Sequence, residues 1–249
     1  MNEDGKTNLE LKDRLILSLD VSSKNELNRI CKSTNNKIST IKLGLEAIYS
    51  QGLGVIDTVK SYGYKVMLDA KLMDIPNTVK KAMKAILLKD VHSVTMHLLG
   101  GRDMIKTSRE YIDKIALESN KTPPLVFGVS VLTSLGDKDL KELGFDNNYI
   151  KEVNILAKIG LESGINGIVC SPNEANGLRK LLGDDILVAT PGVRLADDKN
   201  SDQKRVNTPD YSIRQGADIL IVGRPITQSE DISTTIDIFL EKIKGVLEN

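Results

Sequence analysis

What most constrains this chain is a repeated alternation of two kinds of segment. Short apolar runs occur at 15–20 (LILSLD), 40–44 (TIKLG), 65–72 (KVMLDAKL) and 93–99 (SVTMHLL), then at 125–131 (LVFGVSV), 166–170 (NGIVC), 186–190 (ILVAT) and 218–223 (DILIVG). Between them lie longer stretches with apolar residues at three- and four-residue spacing, the signature of helices: 23–33, 46–62, 75–89, 102–119, 149–163, 173–182, 209–215 and 231–247. Alternating strand and helix implies a parallel sheet. Eight such units with no break in composition favour a closed barrel over an open sheet, and 249 residues suit one such domain. The expected fold is therefore α/β, a single-domain (β/α)8 TIM barrel spanning residues 1–249, with 1–12 left open as a flexible N-terminal extension.

Composition agrees. Hydrophobic residues make up 40% of the chain but aromatics only 4%, and Trp is absent, so the core must be built from Ile, Leu, Val, Ala and Met. That bias suits parallel strands buried on both faces. Basic and acidic residues balance at 34 each, so no net field draws the chain to nucleic acid or a membrane. Any anion must be held by a local site. Cys31 and Cys170 lack metal-type spacing and read as buried free thiols in a reducing compartment. No apolar run is long enough to span a bilayer, and the polar start MNEDGKTNLELKDR does not read as a signal peptide. A cytoplasmic location is expected.

In barrels of this kind, the C-terminal strand ends carry the active site. Asp20 ends the first run, Lys42 lies late in the second, and Asp69 and Lys71 end the third. Thr133 follows the fifth, Arg194 the seventh, and Gly223 and Arg224 end the eighth. A purely structural barrel has no reason to gather charges and hydroxyls there. The sharpest signal is Asp69–Ala70–Lys71–Leu72–Met73–Asp74. In an extended strand, residues at i and i+2 share a face, so Asp69 and Lys71 are expected to point together into the barrel mouth. Burying such charges is costly unless they are paired. An isolated D-x-K pair could equally be an ion pair plugging a barrel; its place at this strand end, before Ile75–Pro76–Asn77–Thr78, argues for a site.

DAKLMDIPNT resembles the D-x-K-x-x-D-I-P-x-T signature of orotidine 5′-phosphate decarboxylases. Further motifs agree in order from Leu15 to Thr227: LDV, IKLG, HLLGG, VLTS, ATPGVR, DQKRV and GADILIVGRPIT. The resemblance implies decarboxylation of orotidine 5′-phosphate to uridine 5′-phosphate and CO2 in pyrimidine synthesis, with no metal and no cofactor. It implies Lys71 as proton donor to C6, Asp69 beside the departing carboxylate, and Lys42 tied into the charged network. Asp20 and Lys42 would contact the ribose hydroxyls, Thr78 the ribose and Thr133 the pyrimidine edge. Gln203 and Arg224 would grip the phosphate, with Arg194 and Gly223 beside them; the polar stretch 195–202 belongs to a loop that closes over the ligand in the family. The equivalents of Asp74 and the neighbouring Thr reach into the next subunit, so a homodimer with shared active sites is expected.

Three other readings compete. Sugar-phosphate enzymes of the same superfamily, 3-keto-gulonate 6-phosphate decarboxylase and hexulose-6-phosphate synthase, share D-x-K-x-x-D but use magnesium. They typically carry Glu where this chain has Lys42, and they lack the D-I-P-N-T continuation. A non-catalytic phosphoribosyl-ligand binder would not need clustered buried charges, and a structural barrel does not explain the strand ends. His97 opens HLLGG where related sequences often read HAAGG, and its role stays open; His92 precedes its strand and reads as bland.

Overall fold

A computed structural model describes residues 9–196 and 207–248. The strands are β1 (Leu15–Ser18), β2 (Thr40–Leu43), β3 (Lys65–Leu72), β4 (Ser93–His97), β5 (Leu125–Val129), β6 (Gly167–Val169), β7 (Leu187–Pro191) and β8 (Ile219–Val222). Helices α1 (Lys24–Ser33), α2 (Leu45–Gln51), α3 (Gly54–Ser61), α4 (Pro76–Leu88), α5 (Gly101–Glu118) and α6 (Asp137–Glu142) fall among them. They are followed by α7 (Tyr149–Glu162), α8 (Pro172–Leu182), α9 (Pro209–Arg214), α10 (Arg224–Thr227) and α11 (Ile232–Leu247). The strands pair in sequence order, β1 through β8, as a closed parallel barrel. This is the (β/α)8 fold expected from the alternation.

The chain divides into two compact units, Met1–Asp69 with Ala189–Asn249, and Ala70–Val188. In the first, the register sets Ser18 of β1 beside Lys42 of β2, and Lys42 beside Met67 of β3. Leu17 pairs with Val222 of β8, and Ile221 with Pro191 of β7. Leu17, Ile41, Met67 and Phe239 are wholly buried there. In the second unit, His97 of β4 lies beside Val129 of β5, and Val129 beside Val169 of β6. Phe127, Val94, Met96 and Ile112 form its core. β2 and β8 are buried along their whole length, as strands covered on both faces must be.

Helix starts follow their capping residues. The Ser23 hydroxyl accepts from the Glu26 amide at 3.4 Å, Asp231 from the Thr234 amide at 3.0 Å, and Glu174 from the Ser171 amide at 2.8 Å. One stretch departs from expectation. Residues 46–62 form two helices, because Gly52 adopts a left-handed φ of 69° that ends α2. The short helix α6 was not expected either: in DKDLKE only Leu140 is buried, so there is no apolar period to read. Leu11–Asp13, partly inside the span left open as an extension, forms a 3-10 turn whose Lys12 carbonyl accepts from the Ser39 amide at 3.0 Å. The larger side chain in HLLGG also finds room: Leu98 is fully buried where Gly128 and Gly160 leave space, and a Cβ on either would lie within 2.9 Å of its methyl groups.

Candidate active site

In the first unit, Lys42 and Asp69 form a buried ion pair. Lys42 Nζ donates to Asp69 Oδ2 at 2.8 Å, and each residue is 9% exposed. The sequence expectation that Lys42 joins the charged network is met at this contact. Two charges so far from water persist only when closely paired, and the short contact between full charges meets that condition.

Asp20 sits two residues beyond the end of β1. Its Oδ1 accepts from the Ala47 amide at 2.8 Å, so it caps the start of α2, an element distant in sequence. The glycine of IKLG makes this approach possible. A Cβ on Gly44 would lie 2.3 Å from Asp20 Oδ2 and 2.8 Å from its Cγ. Replacing Gly44 by alanine is therefore expected to push the carboxylate off the Ala47 amide, at a cost of about 1 kcal/mol in stability. Thermal unfolding checks this; an unchanged midpoint for Gly44→Ala would contradict the capping role.

The same unit carries a cationic end. Arg194, Arg224 and Lys242 line a cleft of about 440 Å³, with Gln228, Ser229 and Thr235 as neutral hydrogen-bonding groups. Lys242 was not read from the sequence: on α11 it follows Thr235 and Ile238 at ordinary helical spacing, with nothing to distinguish it from a solvated lysine. Gly223 precedes Arg224; a Cβ there would meet Ser18 at an ordinary 3.4 Å, so internal packing does not demand a glycine. Val193 bridges Asn207, and the Arg194 amide donates to the Asn207 carbonyl at 3.1 Å, joining the two sides of the polar stretch. Gln203 lies outside the described residues.

The second unit holds Lys71, Asp74, Thr78, Thr133 and His97. The backbone of Lys71 has φ 45°, so the alternation of a regular strand does not hold at this residue. Its amide donates to Thr95 Oγ1 at 2.9 Å. Asp74 is exposed, and its Oδ1 accepts from the Ile75 amide at 2.6 Å, just before Pro76 opens α4. Thr78 is exposed in the first turn of that helix, with its amide donating to the Ile75 carbonyl at 3.0 Å. Thr133 is exposed in a tight turn, residues 132–135, closed by the Leu135 amide on the Leu132 carbonyl.

His97 ends β4 with Nδ1 accepting from the Leu99 amide at 3.3 Å. Burial, then the Lys71 charge, lower its pKa below the usual histidine value. With the leucines of the turn after β5 and the buried Glu152, it lines a small cavity of about 110 Å³. The cysteines are free and buried, and burial pushes the Cys31 thiol up to about 12.

Residues 13–237 match the family described as "Orotidine 5'-phosphate decarboxylase / HUMPS family". An orotidine 5′-phosphate decarboxylase of Carboxydothermus hydrogenoformans is 39% identical over 237 residues, 95% of this chain and 98% of that protein. One of Ehrlichia canis is 42% identical over 229 residues, 92% of this chain and 97% of that protein. The crystal structure of orotidine 5′-phosphate decarboxylase from Lactobacillus acidophilus superposes with a TM-score of 0.80 at 32% identity, covering 93% of this chain and 99% of that one. Sequence, strand order and superposition agree, and the chain belongs to the orotidine 5′-phosphate decarboxylase / HUMPS family.

Proposed function

We propose that this enzyme decarboxylates orotidine 5′-phosphate to uridine 5′-phosphate without metal or cofactor. The observation that carries this reading is the buried Lys42–Asp69 pair. Where the magnesium-dependent relatives would present a carboxylate, this chain presents an ammonium 2.8 Å from the Asp69 carboxylate. A cation held there repels a dication and occupies the oxygen that would bind it.

In the proposed reaction, the bond from C6 to the carboxylate breaks and CO2 leaves. The electron pair remains on C6, where the Lys71 ammonium stabilises it and supplies the proton that completes uridine 5′-phosphate. The resulting amine recovers a proton from solvent. Asp69 faces the departing carboxylate, and Lys42 fixes its orientation while contacting the ribose with Asp20 and Thr78. Thr133 meets the pyrimidine edge. Arg194, Gln203, Gly223 and Arg224 hold the phosphate, with guanidinium forks suited to its oxygens. That grip is remote from C6, so its binding energy can order the charges around the reacting carbon.

The second active-site component comes from a copy of the same chain. Asp74 is flanked by Met73 and Ile75, 55% and 67% exposed, an apolar setting suited to a subunit contact. Asp74 and Thr78 would complete the partner's site in a homodimer. No helix among the described residues is long and apolar enough to cross a membrane. Buried free thiols and balanced charge fit a cytoplasmic enzyme that binds neither membrane nor nucleic acid.

The test is an absorbance assay of purified protein with orotidine 5′-phosphate, with and without EDTA, at a concentration where sedimentation reports the oligomer. Equal rates in both arms and a dimeric species are expected. No turnover overturns the substrate assignment, chelator-sensitive turnover overturns metal independence, and a fully active monomer overturns the shared site.

A further inference from the structure

Five non-glycine residues have left-handed backbones among the described residues: Asn35, Asn36, Lys71, Asp90 and Asn120. Four of them are Asn or Asp, whose short polar side chains favour that conformation. Lys71 has no such help, so its φ of 45° must be imposed by what surrounds it. One hydrogen bond does this visibly. The Lys71 amide donates to Thr95 Oγ1, a side-chain acceptor on the adjacent strand, at 2.9 Å. Thr95 is 1% exposed, in the middle of β4, in register with Phe127 of β5. A β-branched residue on a packed strand has a stiff χ1, so this acceptor is fixed in space. The direction in which the Lys71 side chain leaves the backbone follows from φ, and φ is held by the acceptor of the amide.

We propose that Thr95 is the positioning residue for Lys71: its hydroxyl oxygen holds the lysine backbone in the left-handed conformation that presents the ammonium to C6. This rests on the reading of Lys71 as proton donor. Thr95 itself touches no reacting atom. Its partner on the same face of β4 is His97, two residues on, whose imidazole senses the Lys71 charge. Thr95 and His97 thus form the face of β4 against which the lysine is set.

The experiment compares Thr95→Val, Thr95→Ser and Lys71→Ala with the unaltered enzyme in steady-state decarboxylation and in inhibition by uridine 5′-phosphate. Valine keeps the shape and removes the acceptor; serine keeps the acceptor and removes a methyl group. Thr95→Val is expected to lower kcat on the order of 10- to 100-fold, as small misplacements of a catalytic group do. KM and the inhibition constant should hold within about threefold, since a catalytic misplacement need not weaken ground-state binding. Thr95→Ser should recover most of the lost kcat. A kcat for Thr95→Val close to that of the unaltered enzyme overturns the proposal, as does a serine variant no better than valine, which would make Thr95 a packing residue. Should the valine variant not fold, Thr95→Ser against Thr95→Ala makes the same comparison: the hydroxyl restores kcat or it does not. Lys71→Ala separates the two readings. If it is inactive while Thr95→Val is normal, the donor stands and the positioning role falls; if it turns over normally, the donor itself falls.

Discussion

Lys71→Ala is expected to lower kcat by at least about 10⁴-fold, the upper range for loss of a proton-transfer group, while uridine 5′-phosphate still binds. The loss should be this large because, in the proposed reaction, one side chain serves two tasks, stabilising the carbanion and protonating it. Alanine is the right replacement at this position. It carries a Cβ like lysine, so the left-handed backbone at φ 45° costs the two residues alike, whereas glycine would relax it. Steady-state kinetics and titration calorimetry with the product check both halves of the expectation. Turnover at the unaltered rate would remove Lys71 from the chemistry. Lost binding together with lost turnover would point to a collapsed site.

Lys42→Met should damage stability as well as activity. It leaves the Asp69 carboxylate at 9% exposure without the ammonium now 2.8 Å away. Removing one member of a buried pair typically costs about 3–5 kcal/mol. For a chain of this size that corresponds to a fall in Tm of roughly 6–20 °C. Replacing both members, Lys42→Met with Asp69→Leu, also removes the buried carboxylate and should recover a substantial part of the stability without recovering turnover. That contrast separates the pair's electrostatic cost from its use in the reaction. Calorimetric unfolding supplies the measurement. A Lys42→Met protein as stable as the original would mean that the pair is solvated and that its burial does not govern its energetics.

The architecture was legible in the sequence because its signals are local. β3 has the expected bounds, Lys65–Leu72, since an apolar run there ends at charged residues and the Pro76 turn. β1, β2, β4 and β5 end one or two residues before their apolar runs do, β6 and β8 lose one residue at each end, and β7 is shifted by one, because an apolar run continues into the loop or turn beside its strand. The helical stretch over 46–62 looked continuous because both halves keep the same period; the break depends on the backbone state of Gly52.

The local geometry of the candidate site was less legible than the fold. The i, i+2 argument that put Asp69 and Lys71 on one face presumes an extended backbone, and nothing about a lysine announces a left-handed φ. Asp20 read as a residue at a strand end, but its bond to the Ala47 amide joins segments 27 positions apart. Thr95 gave no signal at all in SVTMHLL, where a β-branched residue is ordinary. Its meaning comes from the adjacent strand. Lys242 was equally silent, its place beside Arg194 and Arg224 being set by how α11 packs.

The central claim is that this chain moves a proton to C6 as CO2 departs, with no metal. It is tested most directly by running the reaction in D2O with EDTA and reading the product by proton NMR. The account predicts uridine 5′-phosphate carrying deuterium at C6, formed in equal amount to the CO2 released. Unchanged orotidine 5′-phosphate, or product formed only when magnesium is restored, would contradict it.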